Sequence, residues 1–504
     1  MPETKEIPTK IYAVASVKSQ GEQSLFEAPF PITSDNVENF YSDPDLIDSA
    51  SNRLSTEGFE ILHVSPIAIT IAAPRELYEQ VFKTKIIPVE KDVKRINDVH
   101  KSTFLDTTDT DMPGFIDVSK SAFSDILEGI AIEEPRFRLG SLTSDVLIGA
   151  EKSFMETNQP TAFPPPKSYW HLNVPSDVSL GLNADKAHRA GITGRNIKVV
   201  MIDSGWYKHP FFIERGYHFN DVVPGPAATN LEHDESGHGT GESANIFAVA
   251  PDIDFTMVKT TFKLVTGQGD IEKAIDLKPD IISISWGSNL CDISDIELDD
   301  AVSAANRALS AAVARAVKEG ITVVCSSGNG QKSFPGQHPD VVSAGGTYMH
   351  ADGTYEATPY ASGFSSPLFP GRNCPDVCGL VGMLPKAAYI MLPVEPRDEI
   401  DAELFGGTHP NGDETLNNDG WAAFSGTSAA APQLAGVCAL IKQASPDLSP
   451  KEIRNILKNT ARDVTQGVAS RSTGSHRATE GVDLATGYGL ADAYQAVKRV
   501  LSNE

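Results

Sequence analysis

The amino-acid sequence predicts an α/β fold, a parallel sheet with helices on both faces, preceded by a smaller α+β unit. Three observations carry this reading. From about Trp170 onward, short Val- and Ile-rich runs alternate with helix-patterned segments; continuous apolar strands between helices belong to parallel sheets buried on both sides. Before Ile132 the pattern is strand, helix, strand pair, helix, strand, the order of a split βαβ, ferredoxin-like sandwich. A chain of 504 residues also exceeds what one ordinary core serves. The expected division is residues 1–132, a linker at 133–169, and a second unit at 170–504.

In the first unit, KIYAVASV reads as a strand and Asp35 to Gly58 as an amphipathic helix. EILHVSPIAITIAAP reads as a strand pair and RELYEQVFKT as a second helix. The following stretch is poorly patterned and ends in the turn-rich NQPTAFPPPKS, which reads as a linker. In the second unit the strands are NIKVVMID, DFTMVKT, DIISISWG, GITVVCSSGN and DVVSAGG, with ELDDAVSAANRALSAAVARAVKEG among the helices. Parallel sheets bind ligands beyond the carboxyl ends of their strands, so chemistry is sought there.

Composition narrows the partners. The chain carries 42 basic and 67 acidic residues, a formal charge of −25. Nucleic acid and anionic membranes need clustered Lys and Arg, so neither is expected as a partner. The segment MPETKEIPTKIYAVASVKSQ has no apolar run long enough for the core of a secretory signal, and no window approaches the length that spans a bilayer, so a cytoplasmic setting is expected, with a nonstandard export route as the alternative. Five cysteines are few and odd in number. Cys374 and Cys378 in NCPDVC could pair or bind a metal, but two thiols without a nearby histidine are a weak metal signal, and reduced thiols are favoured.

Four residues at strand ends or helix starts stand out. NIKVVMID closes on Asp203, where a charge is costly unless hydrogen-bonded. His238 lies between glycines in SGHGTG, and Asn329 follows a strand in CSSGNG. Ser428, in WAAFSGTSAAAPQ, opens a helix whose first residues are all small. Taken singly they read as a turn carboxylate, a satisfied polar histidine, a turn asparagine and a helix cap.

Together, VVMIDSG, SGHGTG, ISISWG, SSGNG and FSGTSAAAP resemble the motifs of the subtilisin-like serine peptidases, in the same order. The likeness runs from roughly Asn183 to Val497 and includes FPGQHPDVVSAGGT and TGYGLADAYQAV. It implies that Ser428 is a nucleophile, His238 its base and Asp203 the orienting acid, with Asn329 and the Ser428 amide receiving the oxyanion. It also implies that Ser285, Trp286 and Gly287 bind an extended peptide substrate as an added strand, that Ser333 helps line the pocket beside it, and that the bond before Pro335 is cis.

Departures from the pattern are equally specific. HGTGESANIFAVAP runs straight into the next strand, so the calcium loop that subtilisins often carry there is expected to be absent, and Gly241 replaces their usual histidine. SGFSSPLFPGRNCPDVCG and the ARDVTQG…TEGVDLATGYG tail are similar to sedolisins. That likeness implies one calcium ion held by Asp463 and Asp483 with the carbonyls of Val464, Thr479 and Gly481. Sedolisins use a glutamate where His238 stands and an aspartate where Asn329 stands, so their acid mechanism is not expected here.

The N-terminal region resembles the propeptides of both families, which inhibit the enzyme until they are cleaved. The segment from Ile148 to Ser168 is the expected processing region. The reading is therefore a serine endopeptidase made as a self-processed precursor, its own N-terminal domain serving as intramolecular inhibitor. The alternatives are a silent peptide-binding or regulatory member of the same fold, and a maturation peptidase dedicated to one cytoplasmic partner.

Overall fold

The computed structural model describes residues 7–21, 23–28, 31–95, 98–138, 160–261, 267–289 and 302–502. The first unit runs β1 (Ile11–Val17), α1 (Pro44–Glu57), β2 (Glu60–Val64), β3 (Ala68–Ala73), α2 (Arg75–Phe82), β4 (Ile86–Arg95), β5 (Asp98–Thr107), β6 (Phe115–Ile116) and β7 (Leu127–Ile132). Its antiparallel sheet has the order β2-β3-β1-β7-β6, the split βαβ arrangement with one edge strand added. Strands β4 and β5 form a separate hairpin between α2 and β6, which the sequence reading did not anticipate. Helix α1 begins at Pro44 rather than near Asp35. Asp43 caps it, its side chain accepting from the Asp45 amide, and proline suits the first helical position because its missing N–H needs no partner there. Val37–Phe40 is a short 3₁₀ turn instead.

The last described strand of the first unit, β8 (Phe137–Arg138), extends the chain beyond that unit's sheet, and the second unit then follows as β9 (Lys198–Asp203), β10 (Val223–Pro224), α3 (His238–Val249), β11 (Asp254–Lys259), α4 (Gly267–Asp276), β12 (Ile281–Ile284) and β13 (Trp286–Asn289). It continues with α5 (Ala304–Lys318), β14 (Thr322–Ser326), β15 (Ser333–Phe334), β16 (Val342–Met349), β17 (Tyr355–Ala357), β18 (Val377–Leu380) and α6 (Thr427–Ala444). The main sheet has the order β10-β11-β9-β12-β14-β16-β17, with β18 also paired to β16. Every pairing is parallel except that of β16 with β17.

Alternation along β9 explains why the sheet is covered on both faces. Val199 and Met201 enter one core with Ile246 and Phe247 of α3 and Leu434 and Val437 of α6. Val200 and Ile202 enter the other with Ile271 of α4 and Leu309 of α5. A strand buried on both sides needs the unbroken apolar run seen in the sequence.

The same logic joins the two units. Ala13 and Ala15 of β1 face α1 and α2, whereas Val14 faces the other way, into a cluster with Ala304, Ala308 and Ala311 of α5. Alanines at this helical spacing let the sheet of the first unit lie close on α5. Polar contacts fix the register: Ser310 Oγ donates to the Ile32 carbonyl (3.0 Å), and His63 Nε2 meets Asp276 Oδ2 (2.9 Å).

Residues 160–168, expected to be linker, are anchored to the second unit. Trp421 Nε1 donates to the Thr161 carbonyl at 3.0 Å and Arg215 Nη1 to that of Ala162 at 2.7 Å. Residues 148–159 of the expected processing region, like Cys291, lie outside the described residues. Among the described residues no helix is long and apolar enough to cross a membrane.

Candidate active site

Asp203 ends β9 beside β11 and β12, at the carboxyl edge of the sheet, and His238 is the first residue of α3. Both are fully buried, and the imidazole Nδ1 lies 2.7 Å from Asp203 Oδ1. The Ser204 amide donates to the same oxygen at 2.7 Å. A carboxylate fixed from two sides holds the ring in one orientation and one tautomer, with Nδ1 protonated and Nε2 as the basic atom.

The approach of α3 to β9 is set by glycine and by a second aspartate. A Cβ at Gly239 would collide with the Gly205 carbonyl, so only glycine lets the helix start this close to the strand. A Cβ at Gly241 would strike the Phe424 ring, which explains why no histidine stands there. Asp234, fully buried, accepts from the Thr240 amide (2.8 Å) and hydroxyl (2.7 Å) and from Ser204 Oγ (2.7 Å). It satisfies the open N-terminus of α3 that Gly237, the residue at the cap, cannot. The sequence reading missed Asp234, although it sits only four residues before His238.

Ser428 is the second residue of α6 and fully buried. Its hydroxyl donates to the Ser285 carbonyl at 3.1 Å, not to the imidazole, while Ser285 Oγ donates to the Ser428 carbonyl at 3.0 Å. Pro432 accounts for the second bond. In an α-helix the residue-428 carbonyl meets the amide of residue 432, and proline has none, so Ser285 supplies the missing donor. The reciprocal pair ties the start of α6 to the end of β12.

Asn329 stands beside this start. Its Oδ1 accepts from the Thr427 amide and from Thr427 Oγ1, both at 3.0 Å, which fixes the amide so that its NH2 turns away from Thr427. The Ala429 and Ala430 amides reach the Gly426 carbonyl (3.0 and 3.4 Å). The Ser428 amide has no such bond among the described residues.

Ser285 and β13 form the expected substrate edge, and that edge is already paired. Trp286 lies opposite Arg138 and Gly287 opposite Phe137, antiparallel, so β8 of the chain itself lies along it. On the other side β13 pairs with β15, where Ser333 is opposite Asn289, fully buried. The Phe334–Pro335 bond is cis.

The C-terminal loops bring Asp463, Thr479, Gly481 and Asp483 together. Asp463 Oδ2 accepts from the Gly481 amide at 2.9 Å, and Asp483 Oδ2 from that of Thr479 at 2.7 Å. Asp483 Oδ1 accepts from the Ala485 and Thr486 amides, each at 2.8 Å. Two carboxylates and a run of carbonyls are oxygen donors suited to a hard cation. No group of three or more His, Cys, Asp or Glu arranged for a metal occurs among the described residues. Cys374 and Cys378 are buried free thiols, and neither pairs with the other.

The subtilase family profile matches residues 194–489, more than half of the chain, a span that includes Asp203, His238, Asn329 and Ser428. M-protease of Shouchella clausii (strain KSM-K16) is 28% identical over 302 residues, covering 57% of this chain but only 65% of that protein. Subtilisin Savinase of Lederbergia lenta is also 28% identical over 302 residues, covering 57% of this chain and 91% of that one. The crystal structure of fervidolysin from Fervidobacterium pennivorans, a keratinolytic enzyme related to subtilisin, superimposes with a TM-score of 0.54. That match spans 98% of this chain and 62% of the other, and at 16% identity it is a likeness of fold. Both the profile match and the parallel sheet beneath the Asp203–His238 pair lead to one assignment: this chain belongs to the subtilase family of peptidases.

Proposed function

We propose that the chain is a serine endopeptidase that hydrolyses peptide bonds through an acyl-enzyme on Ser428. The observation that carries this is the buried Asp203–His238 pair at 2.7 Å, at the end of a parallel sheet and within the span matched by the family profile. On substrate arrival the Ser428 hydroxyl turns from the Ser285 carbonyl toward His238. Nε2 takes its proton as Oγ attacks the peptide carbonyl, and returns it to the departing amine; water then repeats the sequence on the ester. Asp203 stabilises the imidazolium. The Asn329 NH2 and the Ser428 amide receive the developing oxyanion.

In this reading the N-terminal unit is the inhibitor of its own chain. Its β8 holds the edge strand that a peptide substrate would pair with, and its sheet rests on α5. The register runs from Phe137 opposite Gly287 to Arg138 opposite Trp286, so the backbone heads toward Ser285 and Ser428. Self-cleavage just beyond Arg138 follows, upstream of the processing region expected from sequence. Mass spectrometry of the mature N-terminus tests it; a terminus between 160 and 168 would contradict it.

One calcium ion belongs to the proposal as a structural element only. Asp463 and Asp483, with the carbonyls of Val464, Thr479 and Gly481, would hold it, and it would neutralise the paired carboxylates. A cytoplasmic setting is likewise proposed, supported by four buried free thiols. A dedicated maturation role there is compatible with the same site. The silent, peptide-holding alternative draws on one observation, that Ser428 Oγ is bonded to Ser285 rather than to His238. A fluorophosphonate probe separates the two. The endopeptidase labels on Ser428 once the N-terminal unit is removed and Ser428→Ala does not; absence of labelling in both favours the silent module.

A further inference from the structure

Glu242 lies one helical turn beyond His238 on α3 and is fully buried. Its Oε1 is 4.0 Å from His238 Nε2 and makes no hydrogen bond among the described residues. Its Oε2 accepts from Asn245 Nδ2 at 2.9 Å. Asn245 Oδ1 in turn accepts from Gln433 Nε2 of α6 (3.2 Å), and Gln433 is clamped to β18 through the Leu380 amide (2.7 Å) and carbonyl (3.0 Å). The carboxyl is thus held in place by a neutral ladder that crosses from α3 to α6, with its unbonded oxygen on the side of the imidazole. An ionisable group fully buried without a counter-charge is costly, and an apolar side chain would fill the same space more cheaply.

Resting on the reading of His238 as the base for Ser428, we propose that Glu242 is a positioning residue that shares a proton with His238 and so sets the pH at which that base is free. The imidazole then has a carboxyl on each side, Asp203 at Nδ1 and Glu242 near Nε2. Burial, partly offset by the imidazole and reinforced by Asp203, pushes the Glu242 carboxyl up to about 8. Of the other groups facing it, Asn245 and Gln433 are neutral, and burial raises the Tyr360 phenol so far that it stays protonated.

At low pH the pair holds two protons, as imidazolium and carboxylic acid. Loss of the first gives a mixture of neutral imidazole with carboxylic acid, and imidazolium with carboxylate. Only the first form can accept the Ser428 proton, so the carboxylate form withholds part of the base until the second proton leaves to solvent. Such a pair titrates in two macroscopic steps that belong to both groups. An opposite charge at this range moves a titration by about 1–3 pH units.

The test is the titration of His238 followed by imidazole NMR in the Ser428→Ala protein, compared with the same protein carrying Glu242→Gln. Glutamine keeps the shape and can still accept from Asn245 but cannot ionise. The expected result is two inflections with Glu242 and one with Gln, its midpoint lower by about one unit or more. Coincident curves overturn the proposal, as does a single inflection in the Ser428→Ala protein itself, a result that does not depend on how the Gln variant folds. A structural carboxyl would change melting temperature and leave the curves alike. Because neither protein hydrolyses peptides, failure here is distinct from failure of the peptidase reading, which the fluorophosphonate label reports separately. In the active enzyme, Glu242→Gln should move the acid limb of kcat/KM down by the same interval.

Discussion

The Ser285 hydroxyl should be worth most where proline has removed its competitor. Ser285 Oγ donates to the Ser428 carbonyl at 3.0 Å in a fully buried setting, and residue 432, whose amide would otherwise meet that carbonyl, is proline. Ser285→Ala strands a buried acceptor, at a cost of about 1–3 kcal/mol. For a unit of this size that is a fall of roughly 2–10 °C in melting temperature. Pro432→Ala restores the amide, so in that background the same substitution should cost far less. The coupling should come to about 1–2 kcal/mol. Scanning calorimetry at one scan rate, with Ser428→Ala throughout to prevent self-digestion, measures all four corners of the cycle. An equal loss in both backgrounds would refute the compensation between Ser285 and Pro432.

Three further outcomes follow from the same geometry. Asn329→Ala should lower kcat by about 10²–10³ with little change in KM, the loss of one oxyanion donor; an unchanged kcat in steady-state peptide hydrolysis would move that role elsewhere. Burial, partly offset by Arg136, pushes the Glu133 carboxyl up to about 7. A group raised in this way contributes fully below its ordinary value near 4.5, and the contribution is lost as pH rises through about 7. The uncleaved Ser428→Ala precursor should therefore melt lower at pH 8 than at pH 6, and Glu133→Gln should narrow the gap; a gap unchanged by that substitution would remove Glu133 from the account. Finally, a calcium chelator should lower the melting temperature of the wild type more than that of Asp483→Asn, and equal shifts would exclude calcium from that loop.

The sequence made the strands legible wherever burial on both faces forced unbroken apolar runs, as in NIKVVMID. It was less explicit where local geometry decides. The start of α1 depends on Pro44 and the Asp43 cap, against an apolar pattern that begins earlier, and the β4–β5 hairpin pairs only with itself, so no core face imprints a clear alternation on it. Asp203, His238, Asn329 and Ser428 stand out in the sequence because small or turn residues surround each. Asp234 and Glu242 could not be singled out in that way, for they lie in the same stretch as His238 and acquire meaning only from what they touch.

Those two acids also separate two demands on α3. The helix must begin hard against β9 to bring His238 to Asp203, which leaves its first amides buried without solvent; Asp234 meets them through Thr240 and reaches β9 through Ser204. One turn later the helix must pack on α6 across a polar ladder, and a leucine at 242 would seal that contact without any need for Asn245, leaving Gln433 only its bonds to Leu380. A chain that instead buries a carboxyl there, and carries a three-residue ladder from α3 to β18 to hold it, keeps a proton next to its base. Replacing the outer part of the ladder, with Glu242→Leu and Asn245→Leu together while Gln433 stays in place to hold Leu380, should therefore preserve folding better than Glu242→Leu alone, because the Asn245 amide is then not left stranded. Retained stability combined with a lowered acid limb would assign the ladder to the imidazole; retained stability with an unmoved limb would leave it a structural relic.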